Sequence, residues 1–119
     1  MKTKTALTLA VFATAASPAF ADEWYEGGTL NDKDNVAWQE ADEGNRLASA
    51  ADTVAALWMA DKLSPQVRAD IPDVDAIRPY AEELVTCIDS ASAGDSGGVR
   101  ISYPDMALGC VVLMGWTAG

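Results

Sequence analysis

The chain contains no histidine. A hydroxyl or thiol nucleophile needs a base within hydrogen-bond reach, most often an imidazole, and that base is missing throughout. Cations are scarce as well: eight of 119 residues are Lys or Arg, and two of these are Lys2 and Lys4. No apolar run reaches the roughly 20 residues that span a bilayer as a helix. Phe is absent beyond Phe20, so later aromatic packing falls to Trp and Tyr. The two cysteines, Cys87 and Cys110, are too few for a thiolate cluster. With both in a disulfide, zinc and copper would be poorly served.

What is present begins with a leader-like N-terminus. Lys2 and Lys4 precede the apolar stretch 6–16, and 17–21 ends in small residues. The pattern Ala19-Phe20-Ala21 predicts that 1–21 is a secretory signal peptide cleaved before Asp22. A periplasmic or secreted location is therefore expected. Beyond residue 21, eighteen Asp and Glu face six Lys and Arg, a formal charge of −12. Such a surface repels phosphate backbones and anionic headgroups, so neither nucleic acid binding nor membrane insertion is expected. The remaining 98 residues make one domain, a size at which burial alone gives marginal stability. An oxidising compartment and an even cysteine count predict one disulfide, Cys87–Cys110. A separation of 23 residues reads as a staple, since redox pairs sit at C-x-x-C spacing.

The predicted fold is all-α, a small bundle of three to four helices ending in an antiparallel, disulfide-stapled hairpin. Residues 22–35 read as an irregular arm carrying Trp24, Tyr25 and Leu30, and 36–119 as the helical domain. A small-residue stripe at Ala37, Ala41, Gly44, Ala48, Ala51 and Ala55, closing on Trp58, predicts one helix over about 36–62. Asp42 and Arg46 stand at i,i+4 on its polar side, and Gly44 is the expected break point if the helix divides. The stripe suits close core packing, or else a groove for a peptide or ligand. Ser64 and Pro65 predict a short helical turn. Asp73 or Asp75 caps the next helix, which begins at Pro79 or kinks there. Residues 92–102 read as a flexible loop. The last helix, about 104–116, is apolar almost all round and is expected to be central and buried, with a strand at 110–114 as the alternative.

Within that loop, 94–98 spells Gly-Asp-Ser-Gly-Gly, which resembles the nucleophile pentapeptide of chymotrypsin-like serine proteases. The resemblance covers five residues. Ser96 has no histidine to activate it, and Val99 stands where the family continues with Pro. The adjacent acids Asp42–Glu43 and Glu82–Glu83 do not converge on one substrate. The run 32–35 (DKDN) imitates an EF-hand start but continues with Val36 and Ala37 where ligand and Gly are needed. No catalytic, metal or cofactor site is therefore expected. Trp24 and Tyr25 are the expected contact residues, because aromatics concentrate at interface hot spots.

In outline the chain resembles small exported helical proteins that protect or neutralise others: acid-stress chaperones of the HdeA type, and immunity proteins. The expected function is a non-enzymatic periplasmic module that binds another periplasmic protein, chaperone-like, inhibitor or immunity in type. The alternative is a small-ligand or cation-binding periplasmic protein.

Overall fold

Short polar side chains divide the chain by capping its helices. The computed structural model describes residues 23–93 and 98–118; the expected signal peptide 1–21 and most of the GDSGG motif lie outside the described residues. Five α-helices follow in order: α1 Asn35–Glu40, α2 Glu43–Met59, α3 Pro65–Ala69, α4 Arg78–Ala93 and α5 Tyr103–Leu113. Asp34, Asp42, Ser64 and Ser102 cap α1, α2, α3 and α5, each accepting a bond from an amide three residues on. Asp73 does the same for a 3-10 turn, Val74–Ile77, that leads into α4. Pro79 therefore lies in the first turn of α4, where no intrahelical N–H is needed, and causes no kink.

The expected long helix is two helices, and the break is not at Gly44. It falls at Ala41–Asp42, because Asp42 adopts an extended backbone and turns its carboxylate onto the Asn45 amide at 2.7 Å. Gly44 sits exposed in the first turn of α2. The expected Asp42–Arg46 pair does not form for the same reason. Arg46 instead reaches back to the last carbonyls of α1, donating to Trp38 O at 2.9 Å and Gln39 O at 2.8 Å. Its remaining nitrogen lies 3.4 Å from Asp89 on α4. One side chain thus ties three helices at the point where the chain turns.

The central helix is α4, not α5. Ala81, Leu84 and Ile88 of α4 have no exposure and join Ala50, Ala51 and Val54 of α2 and Met106, Ala107 and Val111 of α5 in one core. The last helix was expected at the centre because it has no polar face. Among the described residues no element covers its outer side, and Leu108 and Val112 are each 57% exposed and Leu113 is 81% exposed. Residues 110–113 are helical, so the strand alternative falls. Cys87 and Cys110 are bonded across α4 and α5 with a Cα–Cα distance of 6.0 Å, the disulfide-stapled hairpin expected from the sequence. Gly115, at φ +75°, closes α5 in the left-handed conformation. The tail beyond it bridges back, Thr117 to Leu63.

Of the connector 92–102, the described residues are held at both ends. Ser92 still belongs to α4. Ile101 O accepts from Asn35 N, Lys33 O accepts from Tyr103 N, and Asp34 bridges Ser102. Arg100 also pairs with Asp34 at 2.6 Å. The second half of the connector is pinned to the N-terminal arm, whose backbone supplies donors and acceptors that local composition cannot reveal.

The Ala37 amide, and after it the Arg100 guanidinium, hold the Asp34 carboxyl below the usual carboxylate range. A depressed folded-state pKa contributes stability fully above the unfolded value of about 4 and loses it as pH falls through the folded value. Asp34→Asn keeps a capping oxygen but removes the titration. Its stability is expected to vary less than the native chain's between roughly pH 4 and pH 2. Urea unfolding across that range measures the slope, and equal slopes would exclude the linkage.

Small residues on α2 serve the arm as well as α4. A Cβ on Gly28 would stand 2.7 Å from Ser49 N, 2.9 Å from Ala48 C and 2.9 Å from Asp52 Oδ2. Around it, Thr29 N donates to Asn45 Oδ1, Leu30 N to Ser49 Oγ and Asn31 Nδ2 to Ser49 O, at 2.9 to 3.2 Å. Two of the three clashes are with backbone, which cannot swing aside. Gly28→Ala is expected to lift this segment and cost about 2 kcal/mol by overpacking. Thermal unfolding of the variant checks it; a melting temperature equal to the native one would show that the arm yields without loss.

Candidate functional site: an apolar groove between α2 and α5

The two helices that flank α4 run in the same direction and do not close on each other. Tyr103, at the start of α5, lies beside Ser49 and Thr53, and the ends of both helices are joined by the Leu63–Thr117 bridge. Between them runs an open groove of about 510 Å³. Its α2 wall is Asp52, Thr53, Ala56 and Leu57; its α5 wall is Tyr103, Pro104, Ala107, Leu108 and Val111; Asn31 of the arm closes one end. Val112, one turn beyond Leu108, extends the apolar lip onto the outer surface.

Polar groups gather at one end. The Tyr103 hydroxyl lies 2.7 Å from Thr53 Oγ1 and donates to Ser49 O at 3.1 Å. Burial, with the nearby Asp52 charge, pushes the Tyr103 pKa up to about 12, against the lowering effect of the Thr53 hydrogen bond. That hydroxyl remains protonated at neutral pH and serves as a donor. Burial also raises the Asp52 carboxyl above its ordinary value. Asp52 is the one charged residue lining the groove.

A second, smaller hollow of about 260 Å³ lies between α2 and the 3-10 turn, lined by Ala55, Trp58, Met59, Ile71, Val74 and Ile77 among others. Trp58, expected in the core, is half-buried there with the Arg68 guanidinium 4.2 Å over its ring. Its Nε1–H, though buried, has no hydrogen-bond partner.

The residues singled out in the sequence have these places. Trp24 and Tyr25 stack edge to face at 5.6 Å and are half-buried against the body. Arg78 covers Trp24 at 5.3 Å, and Trp24 Nε1 donates to Asp75 at 3.4 Å. They do not line the groove. Glu82 pairs with Arg78, Asp42 caps α2, and Asp34 of the EF-hand-like run caps α1. Among the described residues, no three Asp, Glu or Cys gather as a metal site would require. No helix among them is long and apolar enough to cross a membrane. The sequence reading missed the groove because its α5 wall was assigned to the interior. The signal lay in that helix's lack of a polar face within a chain too short to bury it all round.

Comparison with protein-family models, curated proteins and solved structures returned no match.

Proposed function

We propose that the chain is an exported, non-enzymatic protein-binding module, and that the α2/α5 groove with the lip formed by Leu108 and Val112 is its contact surface. The supporting observation is the combination of an open apolar groove and an outer helix face left uncovered. Exposed apolar patches of this kind on soluble domains commonly mark interaction sites. The Cys87–Cys110 staple holds α5 rigidly on α4, and rigid presentation lowers the ordering cost of binding. The disulfide and the leader-like N-terminus support an oxidising, periplasmic or extracellular location. The absent histidine and the engaged, protonated Tyr103 argue against turnover in the groove.

Affinity capture from a periplasmic extract tests this reading. The oxidised chain is expected to retain a one-to-one partner that the double variant Leu108→Ser/Val112→Ser loses. Identical retention by both proteins would count against the groove. The polar end of the groove favours a second reading, a small apolar ligand oriented by Tyr103 and Asp52. Such a ligand would raise the melting temperature with its concentration, with no protein partner captured.

A further inference from the structure

The floor of the groove is apolar, but its rim carries a sign. Asp52 stands on the α2 wall as the one charged lining residue, no Lys or Arg lines the groove, and Asp105 is exposed on α5 one turn before Leu108, outside the lining. We propose that the groove receives a cationic amphipathic helix, apolar anchors down and Lys or Arg along its flanks. This rests on the reading of the groove as a protein-contact surface and names the chemistry of the partner.

Shape supports a helix. Two helices running side by side over a third form a trough, and an amphipathic helix fills such a trough with anchors at i, i+3 or i+4, and i+7. Pro104 to Val111 spans about 10 Å at 1.5 Å per residue, two turns of an incoming helix. Charge supports a cationic one. Beyond residue 21 acids outnumber bases eighteen to six, so the field over the whole face attracts positive partners and speeds their encounter. Lys and Arg flanks can also lay their apolar stems on Leu108 and Val112 while their heads reach Asp52 and Asp105.

Charge and shape also disfavour a second copy. Two such faces would bring Asp52 and Asp105 of one chain towards those of the other. The groove is a trough between α2 and α5 that admits one slender element, and a short helix fits it where the broad face of a second copy does not. Anionic membranes meet the same repulsion.

The test uses the oxidised full chain and a synthetic helix of about 14 residues, with Leu anchors and Lys flanks, against a twin in which every Lys is Glu. Amide chemical shifts should move at Ala56, Leu57, Leu108 and Val111 with the Lys peptide and not with its twin. Asp52→Asn should weaken binding about 3-fold, and raising salt from about 0.02 M to about 0.5 M should weaken it further. Leu108→Ser/Val112→Ser should weaken it at least about 10-fold. Both side chains are solvent-exposed, so an unchanged melting temperature is the control for folding. Equal binding of the two peptides, or no binding, overturns the proposal. So does a concentration-dependent dimer in sedimentation that the double variant abolishes, which would make the occupant a second copy. If an extract partner is captured by the native chain and lost by the double variant while the Lys peptide fails, the contact-surface reading stands and the cationic helix falls. If neither binds and only small ligands raise the melting temperature, both fall.

Discussion

Trp38→Ala is expected to lower the unfolding free energy by about 4 kcal/mol, the largest effect of any single substitution considered for this fold. Trp38 is 1% exposed at the centre of the junction between α1, α2 and α4. Its ring tilts against Tyr103 at 5.7 Å, its Nε1 donates to Asp89 Oδ1 at 2.8 Å, and Arg46 lies 5.8 Å over the ring. Truncation removes a large apolar volume and deprives Asp89 Oδ1 of its indole donor. In a domain of this size about 4 kcal/mol corresponds to a drop in melting temperature of some 20 °C. It also consumes much of the about 5–15 kcal/mol that single domains possess. Trp38→Phe separates the contributions: it keeps most of the ring and loses the indole hydrogen bond, an expected cost of about 1–2 kcal/mol. Urea unfolding followed by circular dichroism reads both. If the two variants are equally destabilised, the hydrogen bond to Asp89 rather than the ring's volume carries the site.

Removing the staple comes next. Cys87→Ala/Cys110→Ala is expected to cost about 3 kcal/mol, because the bond closes a loop of about 24 residues in the unfolded chain. Alanine is the better probe, since Cys110 is buried and a serine there would place an unpaired hydroxyl in the core. The corresponding fall in melting temperature is about 15 °C. Chemical reduction of the native protein should reproduce it, and should leave the double variant unchanged. A loss below about 1 kcal/mol would mean that packing of α4 on α5 already restrains the unfolded chain's equivalent contacts. The staple has a functional side as well. It anchors the helix whose outer face forms the groove lip, so the reduced chain is expected to bind the Lys-flanked helix more weakly than the oxidised one.

Local features were legible because their causes are local. Ser64 and Asp73 cap, Pro79 falls in a first turn and Cys87 meets Cys110, each settled by a side chain reaching a few residues along the chain or by matched depths in one hairpin. The break between α1 and α2 was misplaced at Gly44 because helix propensity was weighed there, whereas a capping carboxylate two residues earlier decided it. Trp38 and Arg46 were opaque. Nothing in their neighbours shows that they meet Asp89, 51 and 43 residues away. Ser49, a small polar residue in α2, is fully buried. Its hydroxyl and carbonyl satisfy the arm at Leu30 and Asn31 and the hydroxyl of Tyr103.

By itself the sequence determined that this chain is acidic, helical, joined by one disulfide and without histidine chemistry. Composition decides the charge and the missing imidazole, short-range periodicity and caps decide the helices, and a short hairpin brings the two cysteines together. Tertiary structure alone decided which helix is central. Periodicity reports that a face is apolar but not which neighbour will cover it. With α4 filling the middle, α5 was left with Leu108 and Val112 exposed beside the groove that Asp52 lines. That leftover surface, which arises from the arrangement of three helices, is the contact surface proposed above.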